Sequence, residues 1–298
     1  MSFLNPVNEP VLRFKSTDAG APQINYNARV AGDVKAVLKA CLVTGYGAKA
    51  SAGWTAVNET ATVVEFVSPS VAMSDYRLGI DDTSTSSTTW YYQYQDVRIN
   101  PSYNDPTKSW SYIDKTHASN GWELFVTQRG VIFLEYAHFT SASGMTSRVT
   151  FLGEIKSGAT TIGGSDFVFF NVGHSATLDS PFLFYRPNYP HIKVGGVDCA
   201  FVDAMPTNAT QGGVELGKSV ISLFSTVYIC ASNRKSVLAE LPAVQFKTIN
   251  SLSELYKLTE SDLGGRPTLI VCLGQANLYA DQVNYARLLV IYLDYWEY

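Results

Sequence analysis

The chain has 298 residues, of which 46% are hydrophobic and 13% aromatic but only 16% are Asp, Glu, Lys or Arg, against about 25% charged residues in an ordinary soluble domain. This apolar content excludes an intrinsically disordered chain, and the scarcity of charge excludes a long coiled coil. A net charge of -4 supplies no basic surface for nucleic acid, and no run of about 18 apolar residues marks a membrane-spanning helix.

The first ten residues have neither the basic start nor the apolar core of a secretory signal, so the expected place of synthesis and assembly is a cytosol. The first clear element is a helix over 33–43. Val34, Val37, Leu38, Cys41 and Leu42 repeat at helical spacing, with Lys35 and Lys39 on the other face. Asp33 is placed to cap its start, and Gly45 to end it with a positive φ. Gly47 then offers a second turn position, and Trp54 is expected to pack on the apolar stripe.

Most of the remaining chain reads as strand and turn. The expected strands are 63–67, 91–99, 148–152, 167–171, 182–185, 220–224, 227–230, 268–273 and 287–292. Residues 122–127 and 131–136 flank Gln128-Arg129-Gly130 as a hairpin, with Gly130 supplying a positive φ. A short second helix is possible over 253–258. A Gly- and Thr-rich stretch over 156–165 suggests a boundary between an N-terminal β-rich domain, 1–158, and a C-terminal β-rich domain, 159–298. The expected fold class is therefore mainly β (α+β): antiparallel sheets, or a β-sandwich or barrel, with one N-terminal amphipathic helix.

Four cysteines, Cys41, Cys199, Cys230 and Cys272, lie far apart among apolar neighbours. They read as buried free thiols rather than as a disulfide framework or a zinc site. Gly212 to Ser219 matches the phosphate-loop pattern G-x-x-x-x-G-K-S. That chemistry requires a buried strand before the loop and a helix after it. Here a polar stretch precedes and a β-branched run follows, so the match reads as a Gly-rich turn entering a strand. His117, His138, His174 and His191 are scattered, and Gly173-His174-Ser175-Ala176 is only half of a nucleophile elbow. Glu123 and Glu135 lie on the two arms of the hairpin, and Asp75, Asp81 and Asp82 near a polar loop. Such carboxylates could pair for glycoside hydrolysis, but a solvated strand face is the stronger reading. No catalytic residue, cofactor or metal is expected.

The aromatic surplus is concentrated in two places. Trp90, Tyr91 and Tyr92 begin one dense run, and Tyr292, Tyr295, Trp296 and Tyr298 fall within seven residues at the end. Exposed aromatics anchor interfaces or stack on sugars, so these seven are the candidate interface residues.

Phe14-Lys-Ser-Thr-Asp-Ala-Gly-Ala-Pro22, then the helix, then Ala40-Cys-Leu-Val-Thr-Gly-Tyr-Gly-Ala-Lys49 and Gly53-Trp-Thr55 form a distinctive opening. It resembles a family of uncharacterised virion structural proteins of tailed bacteriophages. That family's pattern is S-T-D-x-G-A-P, a short helix ending in C-L-V-x-G-Y-G, then G-W-T. Looser similarities follow at 121–126, 131–134, 149–154 and 264–270, and none over about 160–250. The resemblance implies a virion component without enzymatic activity, with the tail, baseplate or collar favoured over head decoration. It would be assembled in the host cytoplasm, with other virion proteins and copies of itself as partners. The alternative is a receptor- or carbohydrate-binding module at the tail periphery, with a host surface glycan as its partner.

Overall fold

A computed structural model describes residues 7–25, 28–74, 76–85, 88–94, 97–99, 120–137, 146–154, 156–157, 167–173, 192–194, 197–203, 215–216, 219–220, 225–231, 237–249, 259–263, 265–277 and 284–298. The chain begins with β1 (Asn8–Pro10) and β2 (Leu12–Lys15), followed by α1 (Asp33–Lys39), which continues as a wider π-helical turn over Ala40–Thr44. The next strands are β3 (Thr55–Val57), β4 (Val63–Val67), β5 (Tyr76–Asp81), β6 (Thr89–Tyr94) and β7 (Val97–Ile99). Then come β8 (Asn120–Val126), β9 (Gly130–Ala137), β10 (Thr146–Glu154), β11 (Lys156–Ser157), β12 (Phe167–Gly173), β13 (Ile192–Val194) and β14 (Val197–Asp203). The remainder are β15 (Glu215–Leu216), β16 (Ser219–Val220), β17 (Ser225–Ala231), β18 (Val237–Ile249), β19 (Thr259–Leu263), β20 (Arg266–Asn277), β21 (Asn284–Tyr292) and β22 (Tyr295–Glu297).

The protein is mainly β, with antiparallel sheets and, among the described residues, a single short α-helix. One five-stranded sheet runs β3-β4-β5-β6-β7 and a second runs β12-β10-β9-β8-β2. A larger sheet runs β13-β14-β17-β18-β21-β20-β19, with β11 pairing on β18. None of the sheets closes into a barrel among the described residues. The boundary expected at 158/159 lies outside the described residues.

The helix sits in the core between the two five-stranded sheets. Val34, Val37, Leu38, Cys41 and Leu42 are fully buried, in one cluster with Trp54, Val64, Phe66, Leu78, Trp90, Trp122, Leu124 and Phe133. Each such aliphatic side chain contributes about 1.5–3 kcal/mol by leaving water. Trp54 therefore joins the helix stripe as expected, and its backbone N–H donates to Leu42 O at 2.9 Å.

The β2–β12 sheet is covered on both faces. Trp122, Leu124, Val131 and Phe133 face the helix, while Phe125, Ile132, Leu134 and Phe151 are buried on the other side, where β10 lies against β20. This explains why apolar residues run consecutively at 124–126 in β8 and 131–134 in β9, since a strand buried on both faces has no polar alternation. It also corrects the reading of the two hairpin acids. Glu123 pairs with Leu134, and Glu135 with Trp122, so the two carboxylates point to opposite faces. Both are buried, and neither lies on a solvated face.

Three local expectations change. Asp33 does not cap α1; its carboxylate accepts from Val30 N at 2.9 Å. The cap comes from Asp82, whose Oδ2 accepts from Val34 N at 2.8 Å and Lys35 N at 3.3 Å. Lys35 is buried rather than on a free face, and its Nζ donates to Thr60 O and pairs with Glu59 at 2.9 Å. The run 91–99 is two strands, because the chain reverses and pairs Tyr94 with Val97. The possible helix at 253–258 and the expected strand at 182–185 lie outside the described residues.

Candidate functional site

The opening motif closes on itself around Asp18. Asp18 Oδ2 accepts from Lys49 Nζ at 2.6 Å, from Tyr46 Oη at 2.8 Å and from Lys15 N at 2.8 Å. Lys49 Nζ also donates to Arg13 O at 2.8 Å and sits 5.6 Å from the centre of the Phe14 ring. Burial works to raise the Asp18 pKa, but the bonds from Lys49, Lys15 N and Tyr46 outweigh it and hold the carboxyl below its ordinary value. Burial, and then the bond to Asp18, push the Tyr46 phenol well up. Cys41, behind them, is a buried free thiol, likewise pushed up by burial. A thiol in that state is not an activated nucleophile.

Two glycines make this closure possible. Gly45 has φ 76° and ψ 172°, a region that is essentially glycine's alone. A Cβ there would meet Lys49 O at 2.6 Å, and one on Gly47 would meet Ala19 O at 2.3 Å. The S-T-D-x-G-A-P and G-Y-G-x-K segments are thus two halves of one latch.

The candidate interface aromatics are mostly spent inside the chain. Trp90 is fully buried, 5.6 Å from Phe133. Tyr91 is buried on the opposite face of its sheet, where its ring lies over Gly79 and its hydroxyl donates to Glu65 Oε1 at 3.3 Å. Tyr92 pairs with Leu78 and Ile99 through its strand; its side chain lies outside the described residues. Trp296 and Tyr298 are buried, because β22 pairs with β1 and lays them on the chain's own sheet. Trp296 is 6.3 Å from Phe151, and the Tyr298 hydroxyl shares a 2.9 Å hydrogen bond with Thr127. Burial pushes the Tyr298 phenol far above its ordinary pKa.

Gly130 serves this docking rather than a positive φ. It lies in β9 opposite Gly153, and a Cβ on it would meet the Tyr298 hydroxyl at 2.9 Å and Trp296 at 3.1 Å. Arg129, at the hairpin tip, closes the arrangement. It pairs with Glu9 at 2.8 Å and Glu154 at 3.3 Å, with its guanidinium 5.5 Å from the Tyr298 ring. Tyr292 and Tyr295 are half-buried and hold Arg266 between their rings, at 3.8 and 4.0 Å. Arg266 also makes two bonds to Asp294, at 3.1 and 2.7 Å. Burial opposes these bonds, but they hold the Asp294 carboxyl below its ordinary value.

The acids weighed for catalysis have structural partners. Glu123 accepts from Arg13 Nε at 2.7 Å, and Arg13 also reaches Glu260 at 2.6 Å. Asp82 is fully buried, bonded to Arg29 and to Thr88 as well as to the helix start. Asp75, the four histidines and Ser175 lie outside the described residues. On either side of Gly217-Lys218 the chain pairs antiparallel, Leu216 with Ser219 and Glu215 with Val220. That is a strand pair where a phosphate loop requires a helix. Among the described residues, no three His, Cys, Asp or Glu side chains gather as a metal site, and no helix is long and apolar enough to cross a membrane. Sequence reasoning placed Asp82 near a polar loop and Arg129 in a turn without their structural roles, and gave Arg266 none; all three act on partners that lie far away in the chain or across a turn.

No family model, curated protein or solved structure matches the chain.

Proposed function

We propose that the chain is a non-enzymatic structural component of a tailed-phage virion, located in the tail, baseplate or collar and assembling with other virion proteins and with copies of itself. The observation that carries this reading is the fate of the opening motif, which resembles that of phage virion proteins. Asp18, Tyr46, Lys49, Gly45 and Gly47 bind one another and the backbone of β2. Residues spent in this way build a fold and carry no chemistry to a substrate. The buried Trp90, Tyr91, Trp296 and Tyr298 are also withheld from stacking on a sugar ring, which weighs against the receptor-binding alternative.

Contacts to neighbouring subunits would then use sheet edges and polar loop surfaces. Mass spectrometry of purified virions, with copy number, tests the proposal. The protein is expected in the particle in a fixed, small number of copies, as in a ring or baseplate. Absence from the particle overturns the proposal. Hundreds of copies would place it on the head, and saturable binding of the isolated chain to host glycans would favour the receptor-binding alternative.

A further inference from the structure

We infer that the Asp18–Lys49 pair is an edge guard: it occupies Arg13 O and Lys15 N, two outward backbone groups of β2, and so prevents a second copy of this chain from adding a strand there. β2 is an end strand of its sheet, paired with β8 on one side only. Such an edge presents unpaired N–H and C=O groups and is a template for strand addition. Along a strand these groups alternate in direction, so Val11, Arg13 and Lys15 point the same way, away from β8.

Each of those three residues is bonded on that side by something other than a strand. Val11 N donates to Asp294 O at 3.0 Å. Arg13 O accepts from Lys49 Nζ at 2.8 Å, and Lys15 N donates to Asp18 Oδ2 at 2.8 Å. Lys15 O accepts from Asp18 N at 3.1 Å, which completes the plug. Lys49 and Asp18 are bonded to each other at 2.6 Å, so one ion pair covers a donor and an acceptor two residues apart. An incoming strand would need those same two groups. Leu12, on the same strand, is 46% exposed and would supply the apolar contact once the guard is gone. The inference stands whether or not the protein is a particle component.

The test compares the full-length wild type with Asp18→Ala, Lys49→Met and Tyr46→Phe by light scattering after size exclusion, over a dilution series. Asp18→Ala and Lys49→Met are expected to form larger, concentration-dependent species. Tyr46→Phe leaves both backbone contacts in place and is expected to match the wild type. A folded Lys49→Met protein with the wild-type mass at every concentration overturns the inference. A variant that loses its sheet signal in circular dichroism overturns it too, because the pair would then be a requirement of folding. Hydrogen exchange in the wild type gives an independent reading. The Lys15 amide is expected to be protected, and to exchange about tenfold faster in Asp18→Ala. Exchange of Lys15 at the open-chain rate in the wild type refutes the guard without any variant.

Discussion

Gly45→Ala tests the latch most directly, because a second glycine supplies the control. At φ 76° and ψ 172° a side chain costs about 1–3 kcal/mol in backbone strain alone. The new Cβ would also lie 2.6 Å from Lys49 O, a backbone atom that moves only if the turn opens. Opening it breaks the paired bonds between Tyr46 and Lys49, at 3.1 and 2.9 Å, worth about 1 kcal/mol each. The total is about 3 kcal/mol or more, or about 1 M in the urea midpoint for a slope near 3 kcal/mol/M. Gly53 has φ 81°, but a Cβ there would meet nothing within 4 Å. Gly53→Ala therefore carries only the backbone cost, about 1–2 kcal/mol. Urea unfolding of the two variants side by side is the assay. Equal losses would show that the close approach at Gly45 does not matter and that the latch reasoning fails.

Trp296→Ala empties a fully buried site beside Phe151 and removes the bond from Nε1 to Tyr292 O at 3.1 Å; it should cost about 3–5 kcal/mol in urea unfolding. The Asp18 carboxyl titrates below its ordinary value of 3.8 in the folded protein. Its contribution to stability is therefore complete above that value and is lost as pH falls through the depressed one; melting curves from pH 6 down to the acid limit should show this loss in the wild type and not in Asp18→Ala. Arg266→Lys keeps the charge but loses the two-pronged bond to Asp294 and stacking against Tyr292 and Tyr295. A loss of about 2 kcal/mol is expected, and it should persist in 1 M salt, where the screening length is about 3 Å.

The helix at 33 was the most legible element, because its periodicity arises from one apolar stripe, and α1 occupies that position. The strand at 63–67 was legible from its β-branched and aromatic residues, and β4 lies there with both faces buried. The 128–130 hairpin was equally clear, although Gly130 was explained wrongly. Its glycine is required by Trp296 and Tyr298, which lie far along the chain and are placed there by β22. Asp82 was unreadable as a helix cap for the same reason, being 48 residues from Val34. The terminal aromatics were read as interface residues, whereas Trp296 and Tyr298 dock on the chain's own sheet. The partner could not be read, because a sequence shows that a run is too apolar to stand in water but not whether its cover is another subunit or its own chain.

Among the described residues, charge and aromatic side chains meet at three arginines. Arg13 lies 5.6 Å from the Phe125 ring and pairs with Glu123; Arg129 lies over Tyr298 and pairs with Glu9 and Glu154; Arg266 lies between Tyr292 and Tyr295 and pairs with Asp294. A guanidinium donates hydrogen bonds in its plane and stacks through its faces, so a carboxylate and an aromatic ring are its natural joint partners. Each of these arginines adds a side-chain link to the backbone pairing of the sheets. Arg13 braces the β2–β8 pair and reaches β19, Arg129 links β1 to β10 and to Tyr298, and Arg266 fixes the turn between β21 and β22. At these junctions a few charges, each backed by an aromatic ring, tie together strands from distant parts of the sequence.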